Sequence, residues 1–126
     1  GNLAFNTANP VRVPVLGAPN TLALEIQDFD NDGRADIVAT QNQGSNLFFL
    51  KNLSGTTISF APAVTINAPG TFNDLSSGDF NKDGKLDLVV TSVFGTQSFV
   101  FLNKSSGGSI PFPSTPTVPA ESITLI

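Results

Sequence analysis

Two segments constrain this chain more than anything else in it: DFDNDGRADIV, beginning at Asp28, and DFNKDGKLDLV, beginning at Asp79. They lie 51 residues apart, and the same offset carries Asp30 onto Asn81, Asp32 onto Asp83, Gly33 onto Gly84 and Asp36 onto Asp87. The match runs past the aspartates. Ile37-Val38 answers Leu88-Val89, Phe48 answers Phe99, Asn52 answers Asn103 and Ser54 answers Ser105, and with a one-residue shift Phe60-Ala61-Pro62 meets Phe112-Pro113. A period of about 50 residues marks a fold assembled from supersecondary units, each of which buries its apolar face only by stacking on a neighbour.

Within each unit the pattern is that of short strands. Leu22, Leu24 and Ile26 alternate with Ala23, Glu25 and Gln27, a period of two that puts the aliphatics on one face. Further strands are expected at 35–40, 46–51 and, more weakly, 58–66. The second unit repeats them at 72–77, 86–93 and 97–102, with an outer strand near 110–118 that its prolines confine to a sheet edge. Turn residues separate them, at Gln43-Gly44-Ser45, Ser54-Gly55, Gly95-Thr96 and Ser105-Ser106-Gly107-Gly108. There is no helical period. The fold class expected is all-β, with propeller-type blades: two complete four-stranded antiparallel blades at 21–68 and 69–119. Residues 1–20, with PVRVPVL, read as the outer strand of a preceding blade, and 120–126 as the inner strand of a following one. Two blades alone would leave faces and edges uncovered, so the chain is expected to be a propeller fragment or to be completed in a homo-oligomer.

Of the ten acidic residues, all but Glu25, Asp74 and Glu121 lie in the two segments, in a chain only 13% charged. The pattern Asp28-x-Asp30-x-Asp32-Gly33-x-x-Asp36 sets carboxylates at alternate positions of a tight loop, closes with a fourth, and leaves the Arg34 carbonyl available between them. Hard cations such as Ca²⁺ take six to eight oxygens, and a loop of alternate inward carboxylates reversing at a glycine supplies them. Asp, Asn and Gly are also ordinary turn formers. Two copies in register favour the metal reading, because unneutralised carboxylates held together repel one another. An EF-hand is excluded, since its bidentate Glu would fall at Ala39 and Val90. Mg²⁺ fits less well because it demands octahedral geometry and retains water. The first loop, with four Asp, is expected to bind Ca²⁺ more tightly than the second, which has three Asp, the neutral Asn81 and the neighbouring Lys82 and Lys85.

These residues resemble the FG-GAP and VCBS-type repeats of integrin α-subunit propellers and many bacterial surface proteins, whose hallmark is a DxDxDGxxD calcium loop between the first two strands of a blade. The resemblance covers nearly the whole chain. It implies one Ca²⁺ site at Asp28, Asp30, Asp32, Arg34 (through its carbonyl) and Asp36, and another at Asp79, Asn81, Asp83, Lys85 (carbonyl) and Asp87.

Composition narrows the function. A net charge of −4 with six scattered Lys and Arg offers no patch for phosphates, so no nucleic acid partner is expected. No stretch reaches the roughly 20 apolar residues of a membrane span. The absence of Cys and His removes the commonest nucleophile and base sets, and the carboxylates are committed to the loops, so no enzyme activity is expected. The chain opens on Gly1 without Met or a charged leader and reads as a processed or excised piece. Its uncharged polar coat fits an extracellular or cell-surface setting. The function expected is a calcium-binding module for adhesion, presenting loops 41–46 and 93–97 to an extracellular protein or glycan. The alternatives are a lectin-like propeller, as in fungal lectins with related repeats, or an accessory propeller of a polysaccharide-active enzyme. Sugar sites favour Trp and Tyr, which are absent, and the eleven Phe fall mostly at strand positions suited to a core. Asn52-Leu53-Ser54 and Asn103-Lys104-Ser105 match the N-x-S glycosylation acceptor but read more naturally as turn residues.

Overall fold

A computed structural model describes residues 10, 12, 21–41, 44–67, 70–92, 98–107 and 112. Among these the chain forms seven strands and no helix: β1 (Thr21–Gln27), β2 (Asp36–Gln41), β3 (Asn46–Leu50), β4 (Val64–Asn67), β5 (Phe72–Gly78), β6 (Asp87–Ser92) and β7 (Ser98–Phe101). They make two antiparallel meanders, β1-β2-β3-β4 and β5-β6-β7. This is the all-β blade architecture the repeat implied. The registers repeat with the sequence: Gln27 pairs with Asp36 and Gly78 with Asp87, so each aspartate loop bridges the first two strands of its sheet.

Two expectations change, and several others fall on residues that the structure does not describe. The strand foreseen at 58–66 is shorter and later, at Val64–Asn67, because Phe60 makes a single bridge to Asn52 and the chain through Pro62 cannot donate to a continuous ladder. The outer strand foreseen near 110–118, the leader strand at 1–20, the trailer at 120–126 and the loop at 93–97 lie outside the described residues, apart from Pro10 and Arg12 and a bend at the buried Phe112. The alternation in β1 holds, but its aliphatic face is the outer one: Leu24 and Ile26 are 55% and 58% exposed. Ala23 packs toward the core instead, and Glu25 accepts a 2.5 Å hydrogen bond from Ser77 Oγ of the other sheet.

The core lies between the sheets. Val38, Leu47, Phe49 and Ile66 of the first meet Phe72, Leu75, Leu88, Val90, Phe99 and Phe101 of the second in one buried cluster, joined by Phe29 and Phe112. Residues two apart on a strand share a face, so each alternating row enters this core from one side. Phe29 stands edge-on to Phe49 and Phe112, at 6.4 and 5.4 Å between ring centroids, the geometry that the ring quadrupole favours. A smaller cluster, Ala39, Phe48 and Leu50 with Ile37, Phe60 and Ala63 against it, lies on the opposite face of the first sheet. Leu24 and Ile26 continue that face, through their registers with Ala39 and Ile37.

Candidate metal centre

Each loop is folded by its own carboxylates. Asp28 accepts from the amides of Asp32 (3.1 Å) and Gly33 (2.8 Å), Asp30 from Asp32 (3.2 Å), and Asp32 from Arg34 (3.0 Å). The second loop reproduces the set. Asp79 accepts from Asp83 (3.0 Å) and Gly84 (2.9 Å), Asn81 Oδ1 from Asp83 (3.1 Å), and Asp83 from Lys85 (3.0 Å). The reversal requires left-handed backbone at paired positions, Asn31 and Lys82 at φ of 59° and 62°, Gly33 and Gly84 at 87° and 85°. Glycine adopts such angles without a Cβ penalty.

The closing aspartates tie the loop to the chain just past the third strand of each sheet. Asp36, wholly buried, accepts from Phe29 N (3.2 Å) and Asn52 N (2.8 Å). Asp87, also wholly buried, accepts from Phe80 N (3.0 Å) and Asn103 N (2.8 Å). Burial pushes the Asp36 carboxyl above its ordinary range; the Asn52 and Phe29 amides oppose this, while the Asp30 and Asp32 charges add to it.

Oxygens of Asp28, Asp30 and Asp36 all lie within 4.8 Å of one another. Two oxygens bound to one Ca²⁺ at about 2.4 Å can be no more than about 4.8 Å apart, so this trio fits such an ion. A carboxylate has about four lone-pair sites, so acceptance from backbone amides leaves capacity for a metal. The donor set is oxygen throughout, which suits a hard cation. Asp32, Asp79, Asn81, Asp83 and Asp87 fall on the same loops, with Asn81 replacing the carboxylate that completes the trio in the first. Arg34 and Lys85 occupy the expected position in each loop, their amides held by Asp32 and Asp83.

Lys51 had no place in the sequence-based set, yet its ammonium sits in the first loop. It contacts Asp30 Oδ2 and lies 3.1 Å from Asp32 Oδ2, with the Asp30 side chain fully buried beneath it. Its hydrogen bond to Asp30 raises the Lys51 pKa most, and its hydrogen bond to Asp32 holds that carboxyl below the ordinary range. Arg34 reaches Asp32 Oδ2 at 3.2 Å from the outside. The cation itself marks a place where positive charge is stabilised. In the second loop Lys85 Nζ turns instead to the Ser105 carbonyl at 2.6 Å, and among the described residues no Lys or Arg forms an ion pair with Asp79, Asp83 or Asp87. The one sequence signal for Lys51 is that the repeat has Leu102 in its place.

The two N-x-S asparagines brace the same loops. Asn52 Nδ2 donates to Ala35 O (2.8 Å) and its Oδ1 accepts from Ser54 N (2.8 Å). Asn103 does the same with Leu86 O (2.9 Å) and Ser105 N (2.8 Å), and adds a 2.7 Å bond to Phe29 O of the first repeat. Both act as turn residues, and Asn103 is only 2% exposed.

Set against known proteins, the chain matches no curated protein and no solved structure. A family model of the FG-GAP-like repeat matches residues 28–90, half of the chain, and one of the FG-GAP repeat matches residues 72–110. The matched spans contain both loops and strands β2 to β7, and the chain belongs to the FG-GAP-type repeat family.

Proposed function

We propose that this chain is a calcium-stabilised, non-catalytic binding module that works outside the cell or at its surface. FG-GAP repeats typically occur in extracellular or surface proteins and generally serve as binding modules rather than catalysts. Among the described residues no helix is long and apolar enough to cross a membrane. The observation that carries the calcium reading is the trio of Asp28, Asp30 and Asp36 oxygens within 4.8 Å, held in place by backbone amides. The ligands proposed are Asp28, Asp30, Asp32, Asp36 and the Arg34 carbonyl, and, in the second loop, Asp79, Asn81, Asp83, Asp87 and the Lys85 carbonyl. Bound calcium would join β1 to β2 and β5 to β6 at the loop ends, bracing the sheets whose other connections are proposed to face an extracellular protein or glycan partner. The faces at either end of the two-sheet stack would receive further repeats, from the same polypeptide or from a second copy.

Calorimetric titration of the chelator-treated protein with Ca²⁺ tests the reading. Two equivalents are expected, with Asp36→Ala and Asp87→Ala each removing one. A ligand that binds only the native state stabilises it by about 2.7 kcal/mol at a hundredfold excess over Kd, so chelation should lower Tm by several degrees. Absence of binding heat, together with an unchanged Tm, would overturn it.

A further inference from the structure

We propose that Lys51 is a tethered cation that competes with a divalent ion for the first loop and takes its place when calcium is absent. The proposal rests on the calcium reading above and adds a regulatory element to it. The Lys51 ammonium touches the same Asp30 carboxylate that belongs to the Asp28–Asp30–Asp36 trio, and a second contact goes to Asp32. An ammonium is a compact charge with three donors and no acceptor, so it neutralises carboxylates but cannot remain beside a dication that coordinates the same oxygens. Calcium must therefore expel it. Its flexible stem, with the side chain 24% exposed, gives it a route outward to water.

The second loop lacks the device, because Leu102 occupies the equivalent position and Asn81 stands where its carboxylate partner would be. Two consequences follow. Calcium binding at the first loop is weakened by the competition, which works against the ranking expected from counting aspartates. In the calcium-free protein, Lys51 offsets part of the negative charge of the first loop, through contacts that have no counterpart in the second among the described residues.

Calcium titration followed by the amide resonances of Gly33 and Gly84 reads each loop separately. Lys51→Met removes the charge and keeps the apolar stem. The expected result is a first-loop Kd lower by about tenfold or more, an unchanged Gly84 midpoint, and a lower Tm for the variant in chelator. Acetylation of the wild-type protein provides a measure that needs no variant, since Lys51 should be shielded in chelator and labelled once calcium is added. A Gly33 midpoint that stays the same or weakens in Lys51→Met, or Lys51 labelling indifferent to calcium, would overturn the proposal while the Gly84 response leaves the calcium reading standing. If neither glycine responds in either protein, both fail.

Discussion

A single carboxylate does three things at Asp36: it caps the Phe29 amide, ties Asn52, just past β3, to the loop, and sets an oxygen within 4.8 Å of those of Asp28 and Asp30. Asp87 repeats the first two. Every donor it meets is a backbone N–H, so the geometry survives substitutions of neighbouring side chains but not of the aspartate. The asparagines that follow the third strand divide differently. Asn103→Ala should destabilise the protein by about 1–3 kcal/mol, since it strips partners from two carbonyls in a buried setting, and Asn52→Ala by less, because its bond to Ala35 lies nearer solvent. Urea denaturation of the pair reads the difference. Gly33→Ala should cost about 1–2 kcal/mol from backbone conformation alone, since nothing lies within 4 Å of the added Cβ. The ligand spacing was legible in the sequence because its geometry is completed within nine consecutive residues. Lys51 was not, because its reach to Asp30 depends on the register of β3 against β2, which places residues 21 apart beside one another.

At the scale of the strand, alternation identified which residues share a face but not which face is inward. β1 shows the gap. Leu24 and Ile26 obey a period of two, yet their smaller and more polar neighbours Ala23 and Glu25 turn toward the second sheet, where Ser77 binds the Glu25 carboxylate. Replacing Leu24 and Ile26 together with Thr should change the stability of this chain by less than about 1 kcal/mol. Leu88→Ala, at a position with no solvent exposure, should cost about 2–5 kcal/mol. Denaturant midpoints compared at constant m-value check both. Strand positions were foreseen to within a residue or two where aromatic and β-branched residues cluster, as in β3 and β7. The fourth strand was misjudged because Ile58 and Phe60 carry the same apolar signal as a strand, while Phe60 makes only one bridge.

For the whole molecule, the decisive comparison is between Phe29 and Phe80, which the offset of 51 residues makes equivalent. Phe29 is wholly buried: its ring lies against Phe49 and Phe112, and its carbonyl receives Asn103 and, at 3.4 Å, Ser105 Oγ of the second repeat. Phe80 is 54% exposed. The contact between repeats is thus head to tail, with a used end at Phe29 and an equivalent end still facing solvent at Phe80. Phe29→Ala should cost about 3–5 kcal/mol, whereas Phe80→Ala should cost less than about 0.5 kcal/mol. When a copy of residues 69–119 is joined in tandem as a third unit, the Phe80→Ala cost should rise toward that of Phe29→Ala. If it stayed the same, Phe80 would not be the seat of a further repeat.

By itself the sequence determined the repeat, the all-β blade pattern and the carboxylate spacing of both loops, because each is set by short-range periodicity and turn chemistry. The tertiary structure alone decided that Lys51 fills the first loop, that Asn103 rather than Asn52 bridges two repeats, and that Leu24, Ile26 and Phe80 face solvent while Phe29 does not. All of these turn on strand register and on which sheet lies against which face. Two repeats of one pattern cannot reveal that through local sequence, since one is covered by its successor and the other, among the described residues, is not.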